Sequence, residues 1–211
     1  MTREEMKIRR EMKQIVEKQY LKPVSKRHGY KFVSGFPYIV HDGWLYILYV
    51  TTLLREIHMQ IEVKPVVLDE VFWTVFDMKT EAEAKPFSFH VTAAFAPYTL
   101  YLEEWTLPLE TAEQAEAVVD RALTQADAKI GTYCKQIQTL QQFREMTLSR
   151  EHANLLNGML CDIALEDYAS ALQAAEAETA LHHSGGFSDL RHGDIYEYVK
   201  RYCKEQLHTT V

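Results

Sequence analysis

At 211 residues the chain is long enough to bury a substantial core without disulfides or metal, and its 47% apolar and 25% charged residues are ordinary values for a folded protein. Eight Gly and six Pro exclude a linker-rich or disordered chain. The net charge of −7 is uneven: the first 31 residues carry ten Lys or Arg against four Asp or Glu, and the rest is strongly acidic. An acidic protein repels nucleic acid at long range, which argues against that partner. The basic stretch reads more plainly as a solvated helix face, or one set against the chain's own acidic parts.

Met1-Thr2-Arg3-Glu4-Glu5 is charged and lacks the apolar core of a secretory signal. The longest nearly apolar run, Trp44 to Leu54, falls short of the roughly 20 residues that a spanning helix needs. A cytoplasmic protein with no membrane segment is the expectation. Cys134, Cys161 and Cys203 are odd in number, far apart and without a Cys-x-x-Cys pair, which suits reduced, buried thiols.

Thr2 and Glu5 form the pattern of a capping box, so a helix is predicted to begin there. Ile8, Met12, Ile15, Val16 and Tyr20 recur at helical spacing, and Lys22-Pro23 interrupts or kinks the run before Gly29 closes it. From Tyr30 the period becomes that of strands. Asp42-Gly43 between Tyr38-Ile39-Val40 and the run from Trp44 to Val50 predicts a hairpin with a type I′ turn. Ile57, Met59, Ile61 and Val63 then alternate with His58, Gln60, Glu62 and Lys64, the pattern of a half-buried strand ended by Pro65.

Leu68, Val71, Phe72, Val75 and Phe76 fit a helix, although the segment is aromatic and β-branched enough for a strand. Phe87 to Phe95 alternates as another strand, and Tyr98 to Leu107 as the last. After Pro108 a second capping box, Thr111 with Gln114, introduces a helical stripe from Ala115 to Ile137. A further helix is predicted from about Arg150 to Ala180, then a loop at Ser184-Gly185-Gly186, then a final helix capped by Asp194 and Glu197. The fold class is therefore α+β: an N-terminal helix and an antiparallel sheet of about five strands in residues 1–108, followed by a helical half in residues 109–211, either packed on the sheet or forming a small subdomain.

No Gly-x-Gly-x-x-Gly, Walker loop, His-Glu-x-x-His or Gly-x-Ser-x-Gly is present. Two clusters remain. On the polar face of the sheet, His58, Glu62, His90, Tyr101 and Glu103 alternate with core residues on strands that would be neighbours, and imidazole beside carboxylate is a competent acid–base pair or half of a metal site. The plainer reading is that they face solvent or lie beneath helices. In the C-terminal half, His182, His183 and His192 flank a glycine loop and are candidate metal ligands; without a recognisable ligand spacing, an exposed polar loop is the plainer reading. Trp44, Tyr46, Tyr49, Phe72, Trp73 and Trp105 read as core, with a ligand pocket as the alternative.

The order basic amphipathic helix, Leu21-Lys22-Pro23, Gly29-Tyr30-Lys31 and then strands around Asp42-Gly43 resembles an uncharacterised bacterial domain-of-unknown-function family. That family usually carries Phe where Tyr30 stands here. The resemblance spans about the first half of the chain, implies the α+β arrangement and transfers no catalytic residue. The functional expectation is a non-enzymatic binding or interaction module without a cofactor, its partner a protein, a small-molecule ligand or a second copy of the chain. The alternative is a small-substrate enzyme using His and Glu on the sheet's polar face.

Overall fold

The computed structural model describes residues 2–78, 80, 83, 87–92, 96–149, 154–189 and 193–209. The fold is α+β, an N-terminal helix and a five-stranded antiparallel sheet followed by a helical half. Two compact units form: Met1–Lys64 with Thr99–Gln136, and Pro65–Tyr98 with Ile137–Val211. The helices that follow Pro108 are thus divided between the units. Among the described residues, no helix is long and apolar enough to cross a membrane.

In the first unit, α1 (Arg3–Lys13) starts at the predicted capping box: Thr2 N donates to Glu5 Oε2 at 2.6 Å, and Glu5 N to Thr2 Oγ1 at 3.2 Å. A π-helical stretch, Gln14–Tyr20, leads into α2 (Leu21–Arg27). Pro23 lacks an amide donor and crowds the preceding turn, and the widened turns lie directly upstream of it. Met12, Val16, Leu21 and Val24 are buried, and Gly29 closes the segment with φ +81°.

Strands β1 (Lys31–Val33), β2 (Phe36–His41), β3 (Trp44–Thr52), β4 (Glu56–Pro65) and β5 (Leu100–Pro108) lie side by side in chain order. Asp42 and Gly43 both take positive φ, 48° and 81°, as a type I′ turn requires, with His41 opposite Trp44. Ser34-Gly35 repeats the device, φ 49° and 94°, with Val33 opposite Phe36. That turn makes β1, a strand too short to show a period of its own.

In β4, Ile57, Met59, Ile61 and Val63 are buried while His58, Gln60 and Glu62 are half-buried, as the alternation predicts, but Lys64, expected on the same polar face, is buried with 2% exposure. Helix α5 is Ala115–Gln136, after α3 (Val67–Val75) and α4 (Ser88–Thr92) of the second unit. It buries Ala115, Val118, Val119, Ala122, Ala126 and Ile130, most of the predicted stripe. It packs on the face that carries Tyr46, Glu103 and Trp105, since the Tyr46 hydroxyl meets Cys134 and Lys129 Nζ lies 5.1 Å from the Trp105 ring centroid.

Several local expectations are corrected. The strand expected over Phe87–Phe95 contains a short helix instead, α4, and residues 93–95 lie outside those described. The helix expected at 68–76 is present as α3. Thr111 makes no side-chain cap; the box forms later, where Thr139 and Gln142 cap α6 (Leu140–Leu148). The predicted long helix is two, α7 (Leu155–Ala164) and α8 (Tyr168–Ala180), with residues 150–153 outside those described. Glu166 turns left-handed at φ 61°, and Asp167 starts α8 by accepting from Ser170 N at 3.1 Å. A two-strand ribbon, β6 (Ser188–Asp189) with β7 (Gly193–Asp194), precedes α9 (Ile195–Thr209).

Two alanine substitutions separate the roles of glycine. At Gly131, inside α5 with ordinary helical φ and open space around a new Cβ, Gly131→Ala should stabilise the protein by about 0.5–1 kcal/mol. At Gly43 the space is equally open but φ is +81°, so Gly43→Ala should destabilise by about 1 kcal/mol or more. Urea denaturation of the two variants, with opposite signs expected, checks the turn assignment.

Candidate functional site

The strand pairing decides where the sheet-face candidates go. His58 lies opposite Thr106, Gln60 opposite Glu104, and Glu62 opposite Tyr101, all on one face. Between the Ile61 and Glu62 pairs the register shifts, because β5 inserts Leu102 as a bulge. Glu103 therefore lies opposite Ile61 on the other face, where it binds Lys129 and accepts from the Tyr133 hydroxyl at 3.2 Å. Tyr101 and Glu103 do not share a face, contrary to simple alternation.

On the polar face, His58 Nε2 stands 3.4 Å from Glu104 Oε2, a pair open to solvent. Glu62 accepts from the Gln60 amide and the Thr99 hydroxyl. Burial, followed by the nearby Glu62 charge, pushes the Tyr49 phenol up to about 12. These groups bond one another. His90 is not a strand neighbour of His58 at all: it lies on α4 in the second unit, where its Nδ1 sits 3.0 Å from Asp69 Oδ2, both side chains buried. The five candidates thus fall into three separate groups, and the acid–base constellation expected from alternation is not assembled.

The second cluster has a different fate. The second unit contains an open cleft of about 650 Å³, lined by the His182–Gly186 loop, Tyr98, the start of α7 at Asn154 and Leu155, Glu178 of α8, and Tyr196 of α9. The loop begins where α8 ends: His182 takes φ 57°, and the His183 amide returns to the Glu178 carbonyl at 3.0 Å. This fold-back brings His183 Nδ1 within 2.9 Å of Glu178 Oε2.

The far side of the loop is tied by one carboxylate. Asp194 accepts from Ser184 Oγ at 2.7 Å, from Gly185 N at 3.0 and 3.1 Å, and from Tyr196 N at 3.0 Å. Ser184 Oγ in turn accepts from Gly186 N at 3.2 Å. Gly185 is required by space, since a Cβ there would stand 2.2 Å from Ile195 Cγ2. Asp194 was legible as a helix cap; its grip on a loop nine residues upstream was not.

The chemistry of the cleft follows from these ties. When His183 is neutral, the Glu178 carboxylate draws the ring proton to Nδ1 and leaves the Nε2 lone pair available to a ligand or proton. Burial first, then the Glu178 and Asp194 charges, pushes the Tyr196 phenol up to about 12, so it remains a neutral donor at physiological pH. Asn154 Oδ1 accepts from Asn157 N at 2.9 Å, which leaves its amide hydrogens for another acceptor. Tyr98 is held through its carbonyl by Asn157 Nδ2 at 2.7 Å and keeps half its surface exposed.

Of the three metal candidates, His182 and His183 line the cleft and His192 lies outside the described residues. Among the described residues, no group of three or more His, Cys, Asp or Glu could hold a metal ion. Sequence reasoning missed Glu178, Tyr98 and Tyr196, whose only signal was the return of chain direction at the Gly185-Gly186 loop. Comparison with protein-family models, curated proteins and solved structures returns no match.

If Asp194 holds the loop as described, Asp194→Ala strands three donors and should cost about 1–3 kcal/mol. Gly185→Ala should show a similar loss by steric displacement. Hydrogen exchange read by mass spectrometry should show faster exchange over residues 183–189 in both variants, with α5 amides unchanged; uniform protection of the loop would refute the tie.

Proposed function

We propose that the chain is a non-enzymatic binding protein whose second unit takes a small polar ligand in the cleft beside the His182–Gly186 loop. The observation that carries this reading is the convergence of the Glu178-oriented His183, the neutral phenol of Tyr196 and the exposed ring of Tyr98 around one cavity. Its volume of about 650 Å³ lies within the range that small-molecule sites occupy. Leu155 and Tyr98, both exposed, add apolar surface to an otherwise hydrogen-bonding wall, as a ligand with a polar head and a short apolar body would require.

Enzymatic acid–base chemistry is the second reading. It is favoured by one geometric fact, the carboxylate–imidazole pair beside a phenol in a cleft, which has the parts of a proton-transfer site. The two readings share residues and differ in whether a bound compound is returned changed.

A fragment library of small carboxylic acids, amides and hydroxy acids, screened by ¹H–¹⁵N NMR on the full chain, tests the proposal. Hits should shift resonances of Tyr98, His183, Gly186 and Tyr196 together. His183→Ala and Tyr196→Phe should each weaken the best hit about tenfold, equivalent to about 1.4 kcal/mol. Hits that map elsewhere, or that bind both variants as tightly as the parent, would sink the proposal; recovery of a chemically altered hit would select the enzymatic reading.

A further inference from the structure

The first unit holds a charged cluster that the proposed ligand site does not use. His28 caps the C-terminus of α2 with a largely buried ring, and both of its nitrogens meet carboxylates of α5: Nδ1 stands 2.7 Å from Asp127 Oδ2, and Nε2 stands 3.1 Å from Asp120 Oδ1. An ionised carboxylate only accepts hydrogen bonds, so two such partners require two ring N–H groups, and only the imidazolium has two. A neutral ring would point a lone pair at one of the two carboxylates. We propose that His28 is a protonation-dependent latch, its imidazolium fastening the C-terminal turn of α2 to α5 and its deprotonation loosening that contact.

Arg27 is a like charge beside His28, but the surroundings are net anionic. From α2, Arg27 Nη2 reaches Glu116 Oε1 at 2.9 Å and Asp120 Oδ1 at 3.7 Å. From the chain after α2, the Tyr30 hydroxyl donates to Asp127 Oδ1 at 2.7 Å, which fixes that carboxylate and leaves Oδ2 for His28. From α5, Glu116, Asp120 and Asp127 face two cations, Arg27 and His28, so the cluster stays net anionic even with His28 charged. Burial by itself would lower the His28 pKa, but the hydrogen bonds and charges of Asp127 and Asp120 outweigh it, and the net direction is upward.

The sign follows. A histidine whose folded pKa lies above its unfolded value contributes stability that is fully present below the unfolded value and is lost as pH rises through the folded one. What is lost is local attachment: α2 is followed by Gly29 with positive φ and preceded by the π-helical stretch, so the latch lies between two irregular points of the backbone. Met12, Val16, Leu21 and Val24 anchor the helical segment in the core, so the change is confined to the α2–α5 contact around His28.

Titration of the full chain by imidazole ¹⁵N NMR tests the latch. Both His28 ring nitrogens should show imidazolium shifts at neutral pH, with a midpoint above the ordinary value of about 6.5. Asp127→Asn should lower that midpoint by about one unit. Hydrogen exchange in Leu21–Arg27 should accelerate between about pH 6 and about pH 9 beyond the intrinsic pH effect, and in His28→Gln it should already be fast at about pH 6 and show no such step. A His28 midpoint at or below the ordinary value, or an acceleration retained in His28→Gln, would overturn the proposal. Should His28→Gln fail to fold, the parent titration and Asp127→Asn decide it alone.

Discussion

Along β4 the side chains of Ile57, Met59, Ile61 and Val63 are almost wholly buried, and those between them are not. Because the side-chain period of a strand is two, a slip of one residue would turn every one of these apolar groups to the opposite face, and the pairing with β5 is fixed by that penalty. The single bulge at Leu102 is the one place where the rule is suspended. It lets Tyr101 stay with Glu62 while Glu103 turns to the face under α5, where Lys129 and Tyr133 satisfy its carboxylate. The placing of Tyr101 and Glu103 on opposite faces follows from that one extra residue.

Buried charge imposes a comparable constraint on the second unit. Asp69 in the first turn of α3 is fully buried and meets His90, whose ring also stacks on Phe87 and stands edge-on to Trp73. Asp162 of α7 is 4% exposed and receives the Arg144 guanidinium through two nitrogens, Nε and Nη2. Neither acid is affordable in an apolar interior without its partner, and each partner comes from a different helix. These pairs specify which helix turns face each other more than they add net stability, since similarly shaped apolar pairs would often serve as well.

What the sequence revealed and what it concealed divide along the same physical line. The Asp42-Gly43 turn, the β4 alternation, the Thr2–Glu5 box and the α5 stripe are local, and each is set by the residues that display it. The alternation of Phe87 to Phe95 predicts a strand for His90, yet Phe87, Phe89 and His90 also suit a turn of helix that brings imidazole to Asp69, 21 residues away. A bulge has no sequence signature when the inserted residue is leucine, so Tyr101 and Glu103 read as neighbours. Glu166 gave no sign that it would turn left-handed, because nothing in its own side chain demands it. The candidate cleft was half legible: His182, His183 and the glycines stood out, whereas Glu178, Tyr98 and Tyr196 reach it only through tertiary folding.

The ties on the loop at the cleft bear on the proposed ligand site. A surface loop is ordinarily variable in conformation because its amide groups exchange partners with water. Here Asp194 takes the Ser184 hydroxyl and the Gly185 amide on one side and caps α9 through the Tyr196 amide on the other, so one carboxylate fixes the loop to a helix terminus. Tyr196 and the His182–Gly186 loop are thereby set in place by the same group, and Glu178 sets the imidazole of His183 independently from α8. In the proposed site, a loop tied in this way to two helices would need little reordering when a ligand arrives, which lowers the entropy cost that usually weakens a loop-built site.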